Sequence, residues 1–390
     1  MVNVLIPLER DPEETRVAAT PEVVSRLKQK GLHCRVERGA GLASGFADTA
    51  YAEAGAELVP VADPDAWSST AVLLCVSTPR SGDGHQDLER LRESALVLGQ
   101  LAPHGNDALL DVLERQRLSA IALELLPRIT RAQAMDVLSS QANIAGYKAV
   151  LVAAAALDRF MPMLMTAAGT VQPARILVIG AGVAGLQAVA TARRLGAVVK
   201  VSDVRAAARE QVESLGARFI DPPDMERPGE AGGYAREATA GFLEAQRQQL
   251  ADHLHDCDAV ICTAQVPGRP APLLLTRELT ALLRPGAVVV DLAVAQGGNC
   301  ELSVAGRTVD HGGVQIIGAD RLAASVAHHA SSLYARNLAA LVEVLVTEAG
   351  DVSLNSEDPL LAPCLISKNG RILHPELSAT DRPRCPEVTP

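Results

Sequence analysis

Aromatic residues and basic clusters are scarce in this sequence. Phe, Trp and Tyr together make up 2% of the 390 residues, whereas hydrophobic residues make up 48%. A densely packed core must therefore consist mainly of Ala, Val and Leu. The net charge is −10 and no block of Lys or Arg occurs, which argues against nucleic acids and anionic membrane surfaces as partners. No apolar run reaches the roughly eighteen residues that a membrane-spanning helix requires.

Paired cysteines are also lacking. Seven cysteines are scattered along the chain, and none belongs to a CxxC motif. This odd, unclustered set argues against a disulfide framework or a zinc finger, so we predict reduced, mostly buried thiols and no metal site. The chain opens on the strand-like VNVLIP and not on a basic region with a secretory apolar core, so we expect a cytoplasmic protein.

The most informative stretch is residues 174–203, which read ARILVIGAGVAGLQAVATARRLGAVVKVSD. In dinucleotide-binding folds the first glycine of such a motif, here Gly180, allows a tight turn. The second, Gly182, lets the backbone approach a pyrophosphate, and the third, Gly185, lets helix and strand pack closely. Asp203 ends the second apolar run, where a carboxylate accepts a hydrogen bond from a ribose hydroxyl. The stretch therefore predicts a nucleotide-binding strand–helix–strand unit.

Short apolar runs alternate with helical patterns along the rest of the chain, and this alternation predicts parallel sheets covered by helices on both faces. The predicted strands are residues 2–6, 33–37, 71–76, 95–98, 118–122, 217–220, 259–262, 288–292 and 314–317, with a small pair at 364–366 and 371–373. The predicted helices are residues 49–54, 87–92, 107–117, 142–160, 206–215, 237–254 and 320–348, and residues 161–173 form a loop or hairpin. We predict an α/β protein with two Rossmann-like domains, residues 1–136 with 330–390 and residues 137–329.

Residues 127–141, PRITRAQAMDVLSSQ, carry a high density of polar side chains ahead of an apolar helix. One interpretation is structural: Thr130 and Gln133 have the spacing of a capping box at a helix start. The other is functional: Arg128, Gln133, Asp136 and Ser139 converge on a ligand. Positions 133 and 136 share a helix face, but position 139 is only partly aligned with them, so the spacing alone leaves both interpretations open.

Several long motifs resemble one known family. They are ERDPEETRVAATPE, PRITRAQAMDVLSSQANIAGYKAV, MTAAGTVQPARILVIGAGVAGLQAVATARRLGAVV, DVRAAAREQVESLGARF, AGGYARE and DLAVAQGGNCELS. Together they resemble the NAD(H)-binding alpha subunit of proton-translocating nicotinamide nucleotide transhydrogenase, over nearly the whole chain. Alanine dehydrogenases share the fold and are a more distant match.

The resemblance implies a role for each matching residue. It places Arg128, Gln133, Asp136 and Ser139 around the nicotinamide ring as the catalytic set, which favours the functional interpretation of their segment. The further cofactor contacts that it implies are Ile129, Thr130, Gly180, Gly182, Val183, Gly185, Asp203, Val204, Arg205, Gly233, Tyr234, Gln246 and Gln265. Of these, Gly233 and Tyr234 belong to a loop rich in proline and glycine that is expected to fold over the bound nucleotide.

The resemblance also implies an assembly. NAD(H) is expected in the cleft between the two domains, and NADP(H) on a beta subunit. A membrane-spanning subunit is expected to couple hydride transfer to proton movement, and to hold this chain at the inner face of the membrane. A homodimer is expected as well.

Two alternatives remain open from the sequence. An alanine dehydrogenase places a Lys just after a strand and a His just before an LAP-like turn, to bind and protonate a keto acid. Here the strand ends at Ser77 with no Lys, and Gln100 precedes the turn, although Arg16 of the shared motif remains. A binding module that senses NAD(H) without catalysis is the other alternative.

Overall fold

The computed structural model describes residues 2–79, 86–224, 230–231, 234–235, 239–266, 269–347 and 351–377. The chain divides into two compact units. The first comprises residues 1–141 and 327–390, and the second comprises residues 142–326. Among the described residues no helix is both long enough and apolar enough to cross a membrane.

The strands are numbered along the chain. They are β1 (Asn3–Ile6), β2 (His33–Glu37), β3 (Glu57–Val59), β4 (Val72–Ser77), β5 (Leu96–Gln100), β6 (Ser119–Ala122), β7 (Leu164–Thr166), β8 (Gly169–Val171), β9 (Arg175–Ile179), β10 (Val198–Ser202), β11 (Arg218–Ile220), β12 (Glu230–Ala231), β13 (Tyr234–Ala235), β14 (Ala259–Cys262), β15 (Val288–Asp291), β16 (Thr308–His311), β17 (Val314–Gly318), β18 (Leu365–Lys368) and β19 (Arg371–Ile372).

The helices follow the same numbering. The α-helices are α1 (Pro21–Gln29), α2 (Asp48–Glu53), α3 (Pro64–Ser68), α4 (Asp107–Arg115), α5 (Val137–Ala156), α6 (Val183–Arg194), α7 (Ala208–Ser214), α8 (Ala240–Leu254), α9 (Arg277–Thr280) and α10 (Ala327–Leu345). Short 3₁₀ turns lie at Leu42–Ser44, Leu88–Arg90, Leu123–Leu125, Thr130–Met135, Val294–Gln296, Ala324–Val326 and Pro375–Leu377.

The sheet of the first unit has the strand order β19-β18-β6-β5-β4-β1-β2-β3. Strands β1 to β6 pair in parallel, and β18 and β19 add an antiparallel edge. The parallel part has the strand order 3-2-1-4-5-6 of doubly wound dinucleotide folds. In this order, successive strands are added on one side of β1 as far as β3 and on its other side from β4 onwards. The carboxyl ends of β1 and β4 therefore border the crevice where such folds bind ligands.

The sheet of the second unit has the order β11-β10-β9-β14-β15-β17-β16, and only the edge strand β16 runs antiparallel within the described sheet. Its first five strands again follow the order 3-2-1-4-5. The switch between the two sides lies between β9 and β14, so the carboxyl ends of β9, β10 and β14 border the crevice. The α/β prediction with two Rossmann-like units is confirmed.

The core of both units consists mainly of small and branched aliphatic side chains. Trp67, Tyr51, Tyr334 and Phe242 are the largest fully buried residues, and Ala, Val, Leu and Ile fill most of the remaining space on both faces of each sheet. The six cysteines of the described residues are all buried free thiols, as predicted.

Several predicted boundaries are wrong. The helix predicted at residues 142–160 is α5, which begins five residues earlier because the Asp136 carboxylate accepts a hydrogen bond from the Ser139 amide at its first turn. Instead of the helix predicted at 87–92, the structure has only the 3₁₀ turn Leu88–Arg90. The helix predicted at 320–348 is the shorter α10, and the 3₁₀ turn Ala324–Val326 precedes it. Residues 161–173 contain the hairpin β7–β8, and the C-terminal strand pair is present as β18 and β19.

Candidate functional site

The glycine turn of the second unit lies at the carboxyl end of β9. Gly180 has φ +97°, a conformation that favours glycine. A Cβ atom at Gly185 would lie 1.9 Å from the carbonyl oxygen of Gly180, so only glycine allows α6 to pack this closely on β9. A Cβ at Gly182 would meet no atom of the described residues within 4 Å. The backbone at Gly182 therefore borders open space, as it must if a pyrophosphate is to approach it.

The first turn of α6 carries no side-chain cap. Gly182 occupies the N-cap position, and Val183 is the first helical residue. Amide groups at an uncapped helix start attract anions, because their N–H groups and the helix dipole both favour negative charge. The end of β9 thus combines free space with an electrostatic environment suited to phosphate.

Asp203 lies beside this turn and is only 7% exposed. Its Oδ2 accepts a hydrogen bond from the Ala181 amide at 2.6 Å. Its carboxylate also binds the Arg205 guanidinium, with Nε–Oδ1 and Nη2–Oδ2 distances of 3.0 Å. The carboxylate is therefore held next to the glycine turn, where the sequence placed the ribose contact, and Arg205 covers it. Val204 lies between these two residues and is partly buried.

Residues 128–139 of the first unit form a 3₁₀ turn followed by the start of α5. The N-cap of this turn is Ile129, and no side chain caps it. The capping box predicted from Thr130 and Gln133 is therefore wrong. Ala132 and Met135 are buried, whereas Arg128, Ile129, Thr130 and Gln133 are exposed. The exposure of Arg128, Thr130 and Gln133 leaves these polar side chains accessible to a ligand.

Asp136 and Ser139 are bonded to each other. The Ser139 amide and hydroxyl donate to the two carboxylate oxygens of Asp136, at 2.9 and 2.6 Å. This pair fixes the orientation of the Asp136 side chain at the start of α5. Two of the four predicted catalytic residues are thus brought together.

Two residues anchor the 3₁₀ turn and were missed in the sequence. Asn337 of α10 donates from Nδ2 to the Ala134 carbonyl at 2.7 Å. Arg131 donates from Nη1 to both carboxylate oxygens of Asp358 at 2.9 Å. Both partners lie more than 200 residues away in sequence, so no local pattern announces them.

A buried clamp holds the loop after β14. Asn299 is fully buried, and its side-chain amide bonds both the N–H and the carbonyl of Ala264, at 3.0 and 2.8 Å. The Asp291 carboxylate in turn accepts a hydrogen bond from the backbone amide of Asn299 at 3.0 Å. Asn299 belongs to a GGNC motif in the sequence, but the sequence analysis predicted no role for this asparagine. The two adjoining glycines, Gly297 and Gly298, both have positive φ and were the available signal.

The remaining predicted contacts are distributed over the second unit. Gln265 lies just beyond β14, and its Nε2 donates to the Leu292 carbonyl at 2.9 Å. Gln246 lies on α8 and is 4% exposed. Tyr234 belongs to the β12–β13 strand pair, and its side chain lies outside the described residues, as does the whole of Gly233. Much of the proline- and glycine-rich loop that contains Gly233 and Tyr234 also lies outside the described residues.

The corresponding edge of the first unit is lined by acidic side chains. Glu9, which follows β1, accepts hydrogen bonds from the Val76 and Ser77 amides at the end of β4, at 2.6 and 3.2 Å. Burial raises the pKa of Glu9 to about 8. The Arg16 guanidinium is bonded to both carboxylate oxygens of Glu14, at 2.7 and 2.6 Å.

The raised pKa of Glu9 predicts a pH-dependent stability. The folded protein retains this proton up to about pH 8, whereas the unfolded chain releases it near its ordinary pKa of 4.5. Glu9 therefore stabilises the fold at low pH, and this contribution is lost as the pH rises from 4.5 through 8, by up to about 1 kcal/mol per pH unit. Urea unfolding of the wild type should show this slope, and Glu9→Gln should lack it. Parallel stability–pH curves for the two proteins would refute the assignment.

Comparison with known proteins places the chain in a family. The model for the N-terminal domain of alanine dehydrogenase/PNT matches residues 5–145, and the model for the C-terminal domain matches residues 149–375. An NAD(P) transhydrogenase alpha subunit of Rhodospirillum rubrum is 43% identical over 381 residues, which cover 97% of this chain and 99% of the relative. The chain belongs to the family of NAD(P) transhydrogenase alpha subunits.

Other comparisons agree with this membership. The crystal structure of transhydrogenase from Sinorhizobium meliloti superposes with a TM-score of 0.82 at 44% identity, covering 96% of this chain and 99% of that one. Alanine dehydrogenase of Mycobacterium tuberculosis is 32% identical over 313 residues, 80% of this chain and 77% of the relative. The transhydrogenase alpha subunits are thus more similar to this chain than this alanine dehydrogenase, and the resemblance noted in the sequence is confirmed.

Proposed function

We propose that this chain is the NAD(H)-binding component of a proton-translocating transhydrogenase, which passes hydride between NAD(H) and NADP(H) bound on a partner subunit. The observation that carries the proposal is the glycine turn at the end of β9, in a chain that belongs to the transhydrogenase alpha-subunit family. Its open Gly182 and uncapped α6 suit the pyrophosphate of NAD(H). Val183, Gly185, Val204, Gln246 and Gln265 complete the proposed contacts on the second unit, with Gly233 and Tyr234.

Asp203 and Arg205 set the preference between the two dinucleotides. The Asp203 carboxylate is positioned to accept from a free ribose hydroxyl and to repel a 2′-phosphate. Its ion pair with Arg205 reduces that repulsion, because the guanidinium lies at 3.0 Å from both oxygens. Because the Asp203 carboxylate still favours a free hydroxyl over a 2′-phosphate, we propose that NADH binds more tightly than NADPH.

Titrations with NADH and NADPH test this preference, and Asp203→Asn is the informative variant. Loss of the charge should weaken NADH binding and tighten NADPH binding, so that the preference falls by about tenfold or more. Equal affinities of the wild-type protein for the two dinucleotides would contradict the proposal.

The segment 128–139 acts, in this proposal, on the nicotinamide end of the nucleotide. Direct hydride transfer requires neither a nucleophile nor a proton donor, but it does require two nicotinamides held in a fixed geometry. The mutual hydrogen bonds of Asp136 and Ser139 provide an oriented pair for that purpose, and the exposed Arg128 and Gln133 lie on the anchored turn beside it. Ile129 and Thr130 contribute the adjoining backbone.

The geometry of the first unit weighs against the alanine dehydrogenase alternative. A keto acid needs a free cation for its carboxylate, and the Arg16 guanidinium is already bonded to Glu14 through Nε and Nη2. The Glu9 carboxyl group is likewise bonded, to the Val76 and Ser77 amides at the end of β4. NADH incubated with pyruvate and ammonia should therefore not be oxidised by the purified chain. Rapid oxidation in that mixture would favour the dehydrogenase.

The proposed partners are an NADP(H)-binding beta subunit, a membrane-spanning subunit and a second copy of this chain. The β7–β8 hairpin supports the last of these. Its apolar side chains are exposed, from 38% for Leu164 to 73% for Met165, and those of Phe160, Met163 and Val171 lie in the same segment. An exposed apolar cluster of this kind commonly marks a protein–protein interface.

Met165→Asp is expected to convert the dimer to a monomer. The new carboxylate would have to be buried without a partner in an apolar interface, and this cost is several kcal/mol, about enough to dissociate a micromolar dimer. Light scattering coupled to size exclusion measures the mass directly. Val61→Asp, at an exposed apolar position in the first unit, is the matched control. A Met165→Asp protein that keeps the wild-type dimeric mass would rule out the hairpin as the interface.

A further inference from the structure

A cluster of metal-ligating side chains lies on the first unit among residues to which the proposed function assigns no role. It consists of His104, His374 and Glu376, and one ligand atom of each lies within 4.8 Å of the other two. The His104 Nε2 and Glu376 Oε2 atoms are 3.3 Å apart. The rings of His104 and His374 meet at 85° with their centroids 5.9 Å apart.

The sheet topology brings these residues together. His104 follows the carboxyl end of β5, and His374 follows the end of β19. Because β18 is antiparallel to β6 and β19 is antiparallel to β18, β19 ends at the same edge of the sheet as β5. The sequence separates His104 from His374 by 270 residues (374 minus 104), so this juxtaposition is a product of the fold.

Both segments that carry the cluster are held in place. The half-buried Glu124 carboxylate accepts hydrogen bonds from the Leu101 and Ala102 amides, which fixes the loop leading to His104. On the other side, Leu377 is 3% exposed and anchors the turn that carries Glu376. The ligand atoms are thus presented from two fixed backbones, and the short side-chain movements needed to close on an ion fall on the exposed His104 and Glu376.

The chemistry of His374 indicates a missing partner. Its Nδ1 is buried and has no hydrogen-bond partner among the residues that the structure describes, and buried polar atoms in folded proteins are nearly always paired. An imidazole nitrogen of this kind is a common metal ligand, and it binds a metal in the neutral form of the ring. Two imidazoles and one carboxylate form a donor set that suits Zn²⁺, with water in the fourth position.

We propose that His104, His374 and Glu376 bind one divalent transition-metal ion, best fitted by Zn²⁺. The ion would join the loop after β5 to the segment after β19. Its role would be to secure the C-terminal addition to the sheet, not to take part in hydride transfer. None of the three proposed ligands is a cysteine, which is why cysteine spacing predicted no metal.

Isothermal titration of the full-length, chelator-treated chain with ZnCl₂ tests the proposal. One Zn²⁺ per chain is expected to bind and to raise the thermal unfolding temperature. Loss of a side chain that hydrogen-bonds a metal ligand typically weakens metal binding by roughly 10- to 100-fold. His104→Gln and His374→Gln remove the ligands themselves, so each should weaken Zn²⁺ binding by more than that. His255→Gln, at an exposed histidine elsewhere, should bind Zn²⁺ like the wild type.

Glu376→Gln replaces an exposed carboxylate and provides a variant that should fold normally. It should also lose affinity for Zn²⁺ while it binds NADH like the wild type. Failure of the metal proposal can therefore be distinguished from failure of the proposed function. Absence of Zn²⁺ binding to the wild type would overturn the proposal. So would an affinity that is unchanged in all three ligand variants, which would indicate only an adventitious ion.

Discussion

Alanine at position 182 is expected to weaken NADH binding roughly 100-fold and to leave folding stability nearly unchanged. The Gly182 backbone has φ −74° and ψ −170°, which any residue adopts, and an added Cβ would meet no atom within 4 Å in the part of the chain that the structure describes. The methyl group would instead occupy the space through which the pyrophosphate reaches the amides of α6. Loss of two charge-assisted hydrogen bonds costs about 3 kcal/mol or more, which corresponds to roughly 100-fold weaker binding.

Gly185→Ala is the matched control, because it makes the same chemical change three residues away. Its Cβ would lie 1.9 Å from the Gly180 carbonyl oxygen, so α6 and β9 must separate, at a cost of about 1–3 kcal/mol or more in folding stability. Fluorescence titration with NADH and urea unfolding separate the two effects. NADH binding by Gly182→Ala within twofold of the wild type would show that the pyrophosphate binds elsewhere.

Asparagine at position 136 is expected to slow hydride exchange about 100-fold while it changes NADH affinity little. The Asp136 carboxylate accepts hydrogen bonds from both the amide and the hydroxyl of Ser139. An amide side chain retains one acceptor and presents an NH₂ group in place of the other, so the pair loses its fixed orientation. A small misplacement of reacting groups costs rate and leaves ground-state binding largely intact.

Ser140→Ala is the control for this variant. Ser140 neighbours Ser139, but its hydroxyl is bonded to the Val137 carbonyl, so its loss should leave the exchange rate near that of the wild type. Stopped-flow exchange and an NADH titration are measured on the same preparations. An Asp136→Asn protein whose exchange rate and affinity fall by the same factor would assign Asp136 to binding and not to the geometry of transfer.

The glycine unit was predictable because its determinants are local. The turn, the helix start and the acid at its second strand all lie within 30 residues. The positive φ of Gly180 and the close packing at Gly185 match the backbone reasons predicted for those two glycines. The alternation of strands and helices likewise predicted both sheets. Helix ends were less predictable: α5 begins at Val137 because the side chain of Asp136 caps it, and hydrophobic periodicity does not register a cap of that kind.

The other features depend on contacts between distant parts of the chain. Asn299 clamps Ala264 across 35 residues, and Asn337 holds Ala134 across 203. The raised pKa of Glu9 follows from its burial against β4, 67 residues away. The capping box of residues 130–133 failed for a related reason: the turn is anchored by α10 and by Asp358, so it does not need to cap itself. The local sequence is compatible with a capped helix start and with an anchored 3₁₀ turn, and only the tertiary contacts show that the turn is formed.

The most direct test of the proposed function mixes the purified chain and NADH with an NADP(H)-binding transhydrogenase beta subunit loaded with an oxidised NADP analogue. Stopped-flow absorbance follows transfer of hydride from NADH to the analogue. We predict rapid exchange when both proteins are present and none when either is omitted. Absence of exchange in the complete mixture, despite saturating NADH binding by this chain, would contradict the assignment.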